Sequence, residues 1–334
     1  MLSTLAAMAA AAVIAWPLGA FAQASTYPSK PIRMIVPLAA GSAVDNAARI
    51  LALKMGQSMG QAVVIDNQPG AAGLIGAERV AKAAPDGYTI GGFNDSIMTM
   101  LPHLNARMPW DIQKDFEPVS LVATVEWGLV VGADAKERSA ADLLAAARAA
   151  PGKINYGSGG NGSPQHIAMA LFASQAGVQM THVPYKGATQ AAMGVAGNEV
   201  QTAFQGIATV NALVKGGKLK LVGVTTPKRM PQFPDVPTVS ESGYPDFETD
   251  VWFGVVAPAK TPKDVIAIIN KGINDGLDVQ PTRDFVRRHA LRDAAFMQFE
   301  RRANHDDRAR GVVDPLAEQV LTEATLLALD HVGE

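Results

Sequence analysis

Apolar and polar positions follow two rhythms along this chain, and each change of rhythm marks an element. Ile32 to Val36 is a short β-rich run that stops at Pro37 and opens the small-residue loop Ala39-Ala40-Gly41-Ser42. Beyond it Val44, Ala47, Ala48, Leu51, Ala52 and Met55 recur at the spacing of one helix face. A second strand is predicted over Val63 to Asp66, followed by the loop Gln68 to Gly73 and a helix carrying Leu74, Ile75 and Val80. A third strand, Tyr88 to Phe93, runs into Asn94-Asp95-Ser96. Strands and helices joined by such short loops predict a parallel sheet with right-handed crossovers.

The same order returns in the second half. Ile154 to Tyr156 leads into Gly157-Ser158-Gly159-Gly160-Asn161-Gly162-Ser163, and a helix follows with Ile167, Ala170, Leu171 and Ser174 on one face. Ser163 is its expected N-cap and Pro164 its first residue. Strands are predicted over Thr181 to Pro184, ending in Tyr185-Lys186-Gly187, and over Val200 to Phe204, ending in Gln205-Gly206. Two such sets predict two similar α/β lobes. Leu121 to Val131 is suited to cross between them, and Ser139-Ala140-Ala141-Asp142 starts a helix in a capping-box pattern. After the strand Leu219 to Val224 and a Pro-rich passage, Asp250 to Val256 is suited to cross back. Thr261-Pro262-Lys263-Asp264 is expected to cap a helix with Val265, Ile266, Ile268 and Ile269. The crossings put hinges near 124–126 and 250–254. The expected organisation is 27–124 plus 252–334 for the first lobe and 125–251 for the second.

Composition narrows the function classes. The 334 residues are 48% hydrophobic and 18% charged, with a formal net charge of -2, so the basic footprint of a nucleic-acid binder is missing. With no cysteine there is no disulfide, thiolate nucleophile or cysteine-based metal site. Leu5 to Ala15 is almost wholly apolar and leads to Ala20-Phe21-Ala22, the pattern of a secretory signal peptide covering residues 1–22 and cleaved near Ala22. The expected location is periplasmic.

In a parallel α/β sheet the strand-to-helix loops gather at one edge, where helix N-termini offer unpaired N–H groups to an anion. The loops at 38–42 and 70–73 would face those at 158–163 and 185–188, which suggests a carboxylate between them. Asp45, His166 and Lys186 are further candidates: Asp45 for an ammonium group, Lys186 for a second carboxylate, and His166 from the third position of its helix. The competing motif is Gly157-Ser158-Gly159-Gly160-Asn161-Gly162, a match to the dinucleotide fingerprint of an NAD(P)-binding enzyme. That fingerprint wants an acid about 20 residues on for the ribose, yet Ser163 to Asn198 contains no Asp or Glu. No lipase-type elbow, zincin or Walker motif is present, and His103, His166 and His182 lack metal-ligand spacing. Neither a catalytic role, a cofactor nor a metal is expected.

A set of longer matches then carries a resemblance: Tyr27-Pro28-Ser29-Lys30-Pro31-Ile32-Arg33, Asp66-Asn67-Gln68-Pro69-Gly70-Ala71, Ala84-Pro85-Asp86-Gly87-Tyr88, Asp115-Phe116-Glu117-Pro118-Val119, Gly160-Asn161-Gly162-Ser163-Pro164, His182-Val183-Pro184-Tyr185-Lys186-Gly187, Pro234-Asp235-Val236-Pro237-Thr238 and Trp252-Phe253-Gly254. In that order and spacing the chain resembles the substrate-binding proteins of tripartite tricarboxylate transporters, the Bug family. The resemblance implies a two-lobed periplasmic binding protein of the type II, Venus-flytrap class, with two strands crossing between the lobes. It also implies a monomer that closes on a small carboxylic acid (a di- or tricarboxylate, amino acid or aromatic acid) and hands it to membrane permease subunits. A sensor that presents its ligand to a partner is the alternative. The site residues it implies are Leu38, Gly41, Ser42, Ala72, Ser96, Ser158, Asn161, Gly162, Ser163 and Gln205. The chain departs from relatives at Leu38, where Phe is usual, and at Ser42 and Ala43, where Gly is usual. From about Leu277 the likeness stops, and the charged clusters Arg287-Arg288-His289, Arg301-Arg302 and His305-Asp306-Asp307-Arg308 match no known pattern.

Overall fold

A computed structural model describes residues 27–278, except 246, 248 and 250, together with the backbone of 291–293. The expected signal peptide and the charged clusters of the tail lie outside the described residues.

The described residues form two α/β sheets. The first holds β1 (Ile32–Val36), β2 (Val63–Asn67), β3 (Thr89–Asn94), β4 (Phe116–Val125), β10 (Val251–Pro258) and β11 (Leu291–Asp293), in the order β11-β4-β10-β3-β1-β2. The second holds β5 (Trp127–Gly132), β6 (Asn155–Ser158), β7 (Thr181–Pro184), β8 (Thr202–Gly206) and β9 (Leu219–Val224), in the order β7-β6-β8-β5-β9. Within each, the repeated unit pairs in parallel as expected: β1 with β2 and β3, and β6 with β7 and β8. Each sheet is nevertheless mixed. Strands β4, β10, β5 and β9 pair antiparallel with their neighbours, because they belong to the crossings rather than to helix-linked crossovers.

The two sheets are joined at one point by Glu126, the residue between β4 and β5, and at the other by the passage from Val224 to Val251. Phe247 from that passage stacks on Phe204 of β8, and Phe172 meets both rings edge-on, so the return is anchored to the second core.

Helix α1 (Ala43–Met59) buries the predicted face: Val44, Ala47, Ala48, Leu51, Ala52 and Met55 are all covered. Each of its large apolar side chains contributes about 1.5–3 kcal/mol by leaving water. Gly60, at φ 70, ends it in a left-handed turn. Helices α2 (Leu74–Ala81), α3 (Leu101–Leu104), α4 (Ala140–Ala149), α5 (Pro164–Gln175), α6 (Ala188–Ala196), α7 (Ile207–Lys215) and α8 (Lys263–Asp278) follow.

Three local expectations need correcting. In α5 the buried stripe is Gln165, Ala168, Met169, Phe172 and Ala173, on the side of the helix opposite the predicted Ile167, Ala170, Leu171 and Ser174. That helix is apolar nearly all round, so periodicity alone does not choose its phase. In α2 Ile75 is 47% exposed, the inward positions being Gly76, Ala77 and Val80. Thr261 stands two residues before the first residue of α8, Lys263, rather than directly before it, and its hydroxyl donates to the Pro258 carbonyl at 2.7 Å.

Candidate functional site

Between the two lobes lies a cavity with about 600 Å³ of space free of protein atoms, part of it open to solvent. Its walls are the strand-to-helix loops, and five helices begin there. Ser42, Ala43 and Val44 bring the start of α1, and Gly73 the start of α2. Ser163, Pro164 and Gln165 bring that of α5, Gly187 and Ala188 that of α6, and Gly206 that of α7. Each helix start carries unpaired N–H groups and roughly half a positive charge.

The first loop is built around Asp45. Its carboxylate accepts from the Gly41 N–H at 2.8 Å, from Arg49 Nε at 3.0 Å and from Asn67 Nδ2 at 2.8 Å. Ser42 caps the helix by accepting from the Asp45 N–H, and Asn67 also donates to the Leu38 carbonyl. Asp45 is 1% exposed and absent from the cavity wall, so it shapes the loop from behind rather than meeting an ammonium group. The second loop holds four successive residues at positive φ, Gly70, Ala71, Ala72 and Gly73. A left-handed alanine costs roughly 1–2 kcal/mol, and strain of this kind gathers where a backbone is shaped for a ligand.

In the other lobe the glycine loop rests on a stack of rings. Tyr156 lies 5.0 Å from His182, which lies 4.0 Å from His166, all near parallel. Ser158 Oγ accepts from the Gly160 N–H at 3.1 Å and sits 2.6 Å from His182 Nε2, while the Gly162 N–H donates to His166 Nδ1 at 3.1 Å. This last bond needs an unprotonated Nδ1.

Burial, reinforced by the neighbouring His166, pushes His182 down to about 3 from an ordinary 6.5. Between those values the unfolded chain binds the proton and the folded chain does not. The stability present above about pH 6.5 is therefore lost progressively as pH falls toward 3. Urea unfolding followed from about pH 6 to pH 4 should show nearly one proton more taken up on unfolding by the native protein than by His182→Gln. Equal pH slopes would contradict this.

Of the predicted site residues, Leu38, Ser42, Ala72, Ser163 and Lys186 line the cavity. Asn161 lies in an adjoining groove that Ala72 and Lys186 also line. Gly41, within the first loop, donates its N–H to Asp45 and lies near Thr189 of the other lobe, while Ser158 and Gly162 are tied to His182 and His166 within the glycine loop and its supports. Ser96 is fully buried after β3, and its hydroxyl has no partner. Gln205 is also fully buried: its Nε2 donates to the Ala188 carbonyl at 3.2 Å and its Oε1 is unpaired.

Sequence reading missed Pro37, Asn94, Gln165, Thr209 and the cavity floor. That floor is Val125, Trp127 and Val251, the ends of the crossing strands. An aromatic beside a predicted hinge was the one available signal.

The lobes touch across this cavity. Thr189 Oγ1 donates to the Ala40 carbonyl at 2.9 Å, and Asn46 Nδ2 to the Ala208 carbonyl at 3.4 Å.

Comparison with known proteins adds to this geometry. Residues 47–298 match the model of the tripartite tricarboxylate transporter family receptor, so the match runs beyond Leu277 into the tail. A protein from the tcbD-tcbE intergenic region of Pseudomonas sp. (strain P51) is 40% identical over 252 residues, 75% of each chain. Among solved structures, an R. palustris protein with adipate is 31% identical with a TM-score of 0.80, covering 89% of this chain and 98% of its own. MatC from Rhodopseudomonas palustris, with bound malate, is 25% identical with a TM-score of 0.78, covering 90% of this chain and all of its own.

Proposed function

This chain belongs to the tripartite tricarboxylate transporter receptor family, and from that premise we propose that it captures a small carboxylate-bearing metabolite between its lobes and delivers it to membrane subunits of such a transporter. The observation that carries the reading is the meeting of five helix N-termini on a cavity whose described lining residues include no Asp or Glu. Such a site favours an anion through main-chain N–H groups and dipoles. Adipate and malate in the two R. palustris relatives support the same ligand class. The boundaries 27–124 plus 252–334 and 125–251 suit closure about Glu126 and the return passage. The export segment suits a periplasmic site of action.

We read the protein as a binder and not a catalyst. Among the described residues no group of three or more His, Cys, Asp or Glu is placed to hold a metal. The Ser158–His182 pair serves the glycine loop and is not part of the cavity wall.

Thermal unfolding against a panel of mono-, di- and tricarboxylates, aromatic acids and amino acids tests the proposal. An acid present at 100 times its dissociation constant should add about 2.7 kcal/mol of stability. If no acid raises the melting temperature, the reading fails.

A further inference from the structure

We infer that Gln165 is a specificity residue, selecting an acid with a hydroxyl on the carbon next to its carboxylate, the hydroxyl donating to the Gln165 amide oxygen. This inference rests on the proposed carboxylate site and concerns which acids that site prefers. Gln165 is the second residue of α5, lines the cavity and is 6% exposed. Its side chain makes no hydrogen bond to any described residue, and neither Oε1 nor Nε2 is sealed from solvent, unlike the partnerless Gln205 Oε1 and Trp127 Nε1. An amide so largely covered and yet unpaired is costly to leave unmatched. Opening onto the cavity, it takes its partners from what the cavity holds.

The amide oxygen stands at a corner left open by Gly159. A methyl group built at Gly159 would lie 3.2 Å from Gln165 Oε1 and 3.3 Å from the Ala188 main-chain nitrogen. Ala188 begins α6, so its N–H has no partner within that helix. One free donor and one free acceptor therefore flank the same corner. The acceptor is the exception on this wall. The Ser42 and Ser163 oxygens already accept from the N–H groups of Asp45 and His166, which leaves their hydroxyls to donate, and the Asn94 amide oxygen accepts from the Ile97 N–H at 3.4 Å. A carboxylate satisfies donors and is repelled by an amide oxygen, whereas a hydroxyl beside it supplies the missing proton. Turning the amide over exchanges its ends without removing the unmatched oxygen. An ammonium group would also donate, but the helix starts and Lys186 repel it, and the described lining residues offer no carboxylate to hold it.

Calorimetric titration with pairs that differ by one hydroxyl tests this: malate against succinate, 2-hydroxyadipate against adipate, and mandelate against phenylacetate. Within a pair that binds, the hydroxy acid should bind roughly ten times more tightly, a step of about 1.4 kcal/mol. Gln165→Met, which keeps the length of the side chain and removes both polar atoms, should weaken the hydroxy acid to the level of its partner and leave the partner unchanged. Gly159→Ala, at a glycine outside the positive-φ region, should do the same by filling the corner. In the native protein the side-chain amide proton resonances of Gln165 should shift with the hydroxy acid and not with its partner. The inference is overturned if acids bind with no preference for the 2-hydroxyl, if the preference survives in Gln165→Met, or if aspartate binds as tightly as malate. Each of those results leaves the carboxylate reading standing. Failure of every acid in the wider panel would remove both.

Discussion

Replacing Gly187 by alanine is expected to weaken ligand capture by roughly 5- to 150-fold while leaving both lobes folded. A methyl group built at Gly187 would lie 2.4 Å from the Ala39 Cβ, and these residues face each other across the cavity, at the start of α6 and in the loop before α1. The backbone of Gly187 is extended, at φ 176, so alanine fits its conformation within its own lobe. The conflict therefore exists only when the lobes meet. Overpacking of this kind costs about 1–3 kcal/mol, and a penalty on the binding-competent state alone appears as the corresponding loss of affinity. The compensating change is Ala39→Gly. With that methyl gone, the next atom, Ala39 Cα, is 3.6 Å away, an ordinary contact. The double variant should regain most of the affinity. Titration calorimetry with a ligand found by the acid panel, alongside the melting temperature of the unliganded protein, separates closure from folding. Unchanged affinity in Gly187→Ala would mean that the lobes do not meet as described.

The largest loss of stability is expected from Phe172→Ala. Phe172 is fully buried in α5 and meets Phe204, Tyr244 and Phe247 at centroid distances of 5.4 to 5.6 Å. Two of those rings come from the return passage, so truncation removes packing between that passage and α5 as well as opening a cavity. The cost should be about 3–5 kcal/mol, read from urea unfolding. Leu53→Ala, at a position 60% exposed, should stay within about 0.5 kcal/mol. A comparable loss for both would indicate that the ring cluster is not the core of the second lobe.

Strands were the most legible elements. Ile32–Val36, Thr181–Pro184 and Leu219–Val224 lie where the apolar runs and their Pro or Gly boundaries place them. Ser163 and Ser139 cap α5 and α4 as read, since a hydroxyl just before a helix has an obvious N–H to accept. The phase of α5 was not legible, because a helix flanked by apolar residues on every side can turn either way until its neighbours are known. Nor was the role of Asp45. A first-turn acid serves a helix dipole, a loop or a ligand with the same sequence, and only the positions of Gly41, Arg49 and Asn67 decide among them. The cavity floor was hidden for another reason. Val125 and Trp127 are far from Val251 along the chain, and it is the pairing of Val251 with Val125 in adjacent antiparallel strands that brings them together.

The small residues around the helix starts have a consequence for how such a protein changes over time. An attraction that resides in peptide groups is inherited by any side chain that keeps the loop's shape. A scan that converted the wall to alanine, residue by residue, would find much of it already alanine or glycine and, under the proposed function, would pass over the anion's main holders in silence. The side chains that end the crossing strands, Val125, Trp127 and Val251, can by contrast be exchanged without altering those peptide groups.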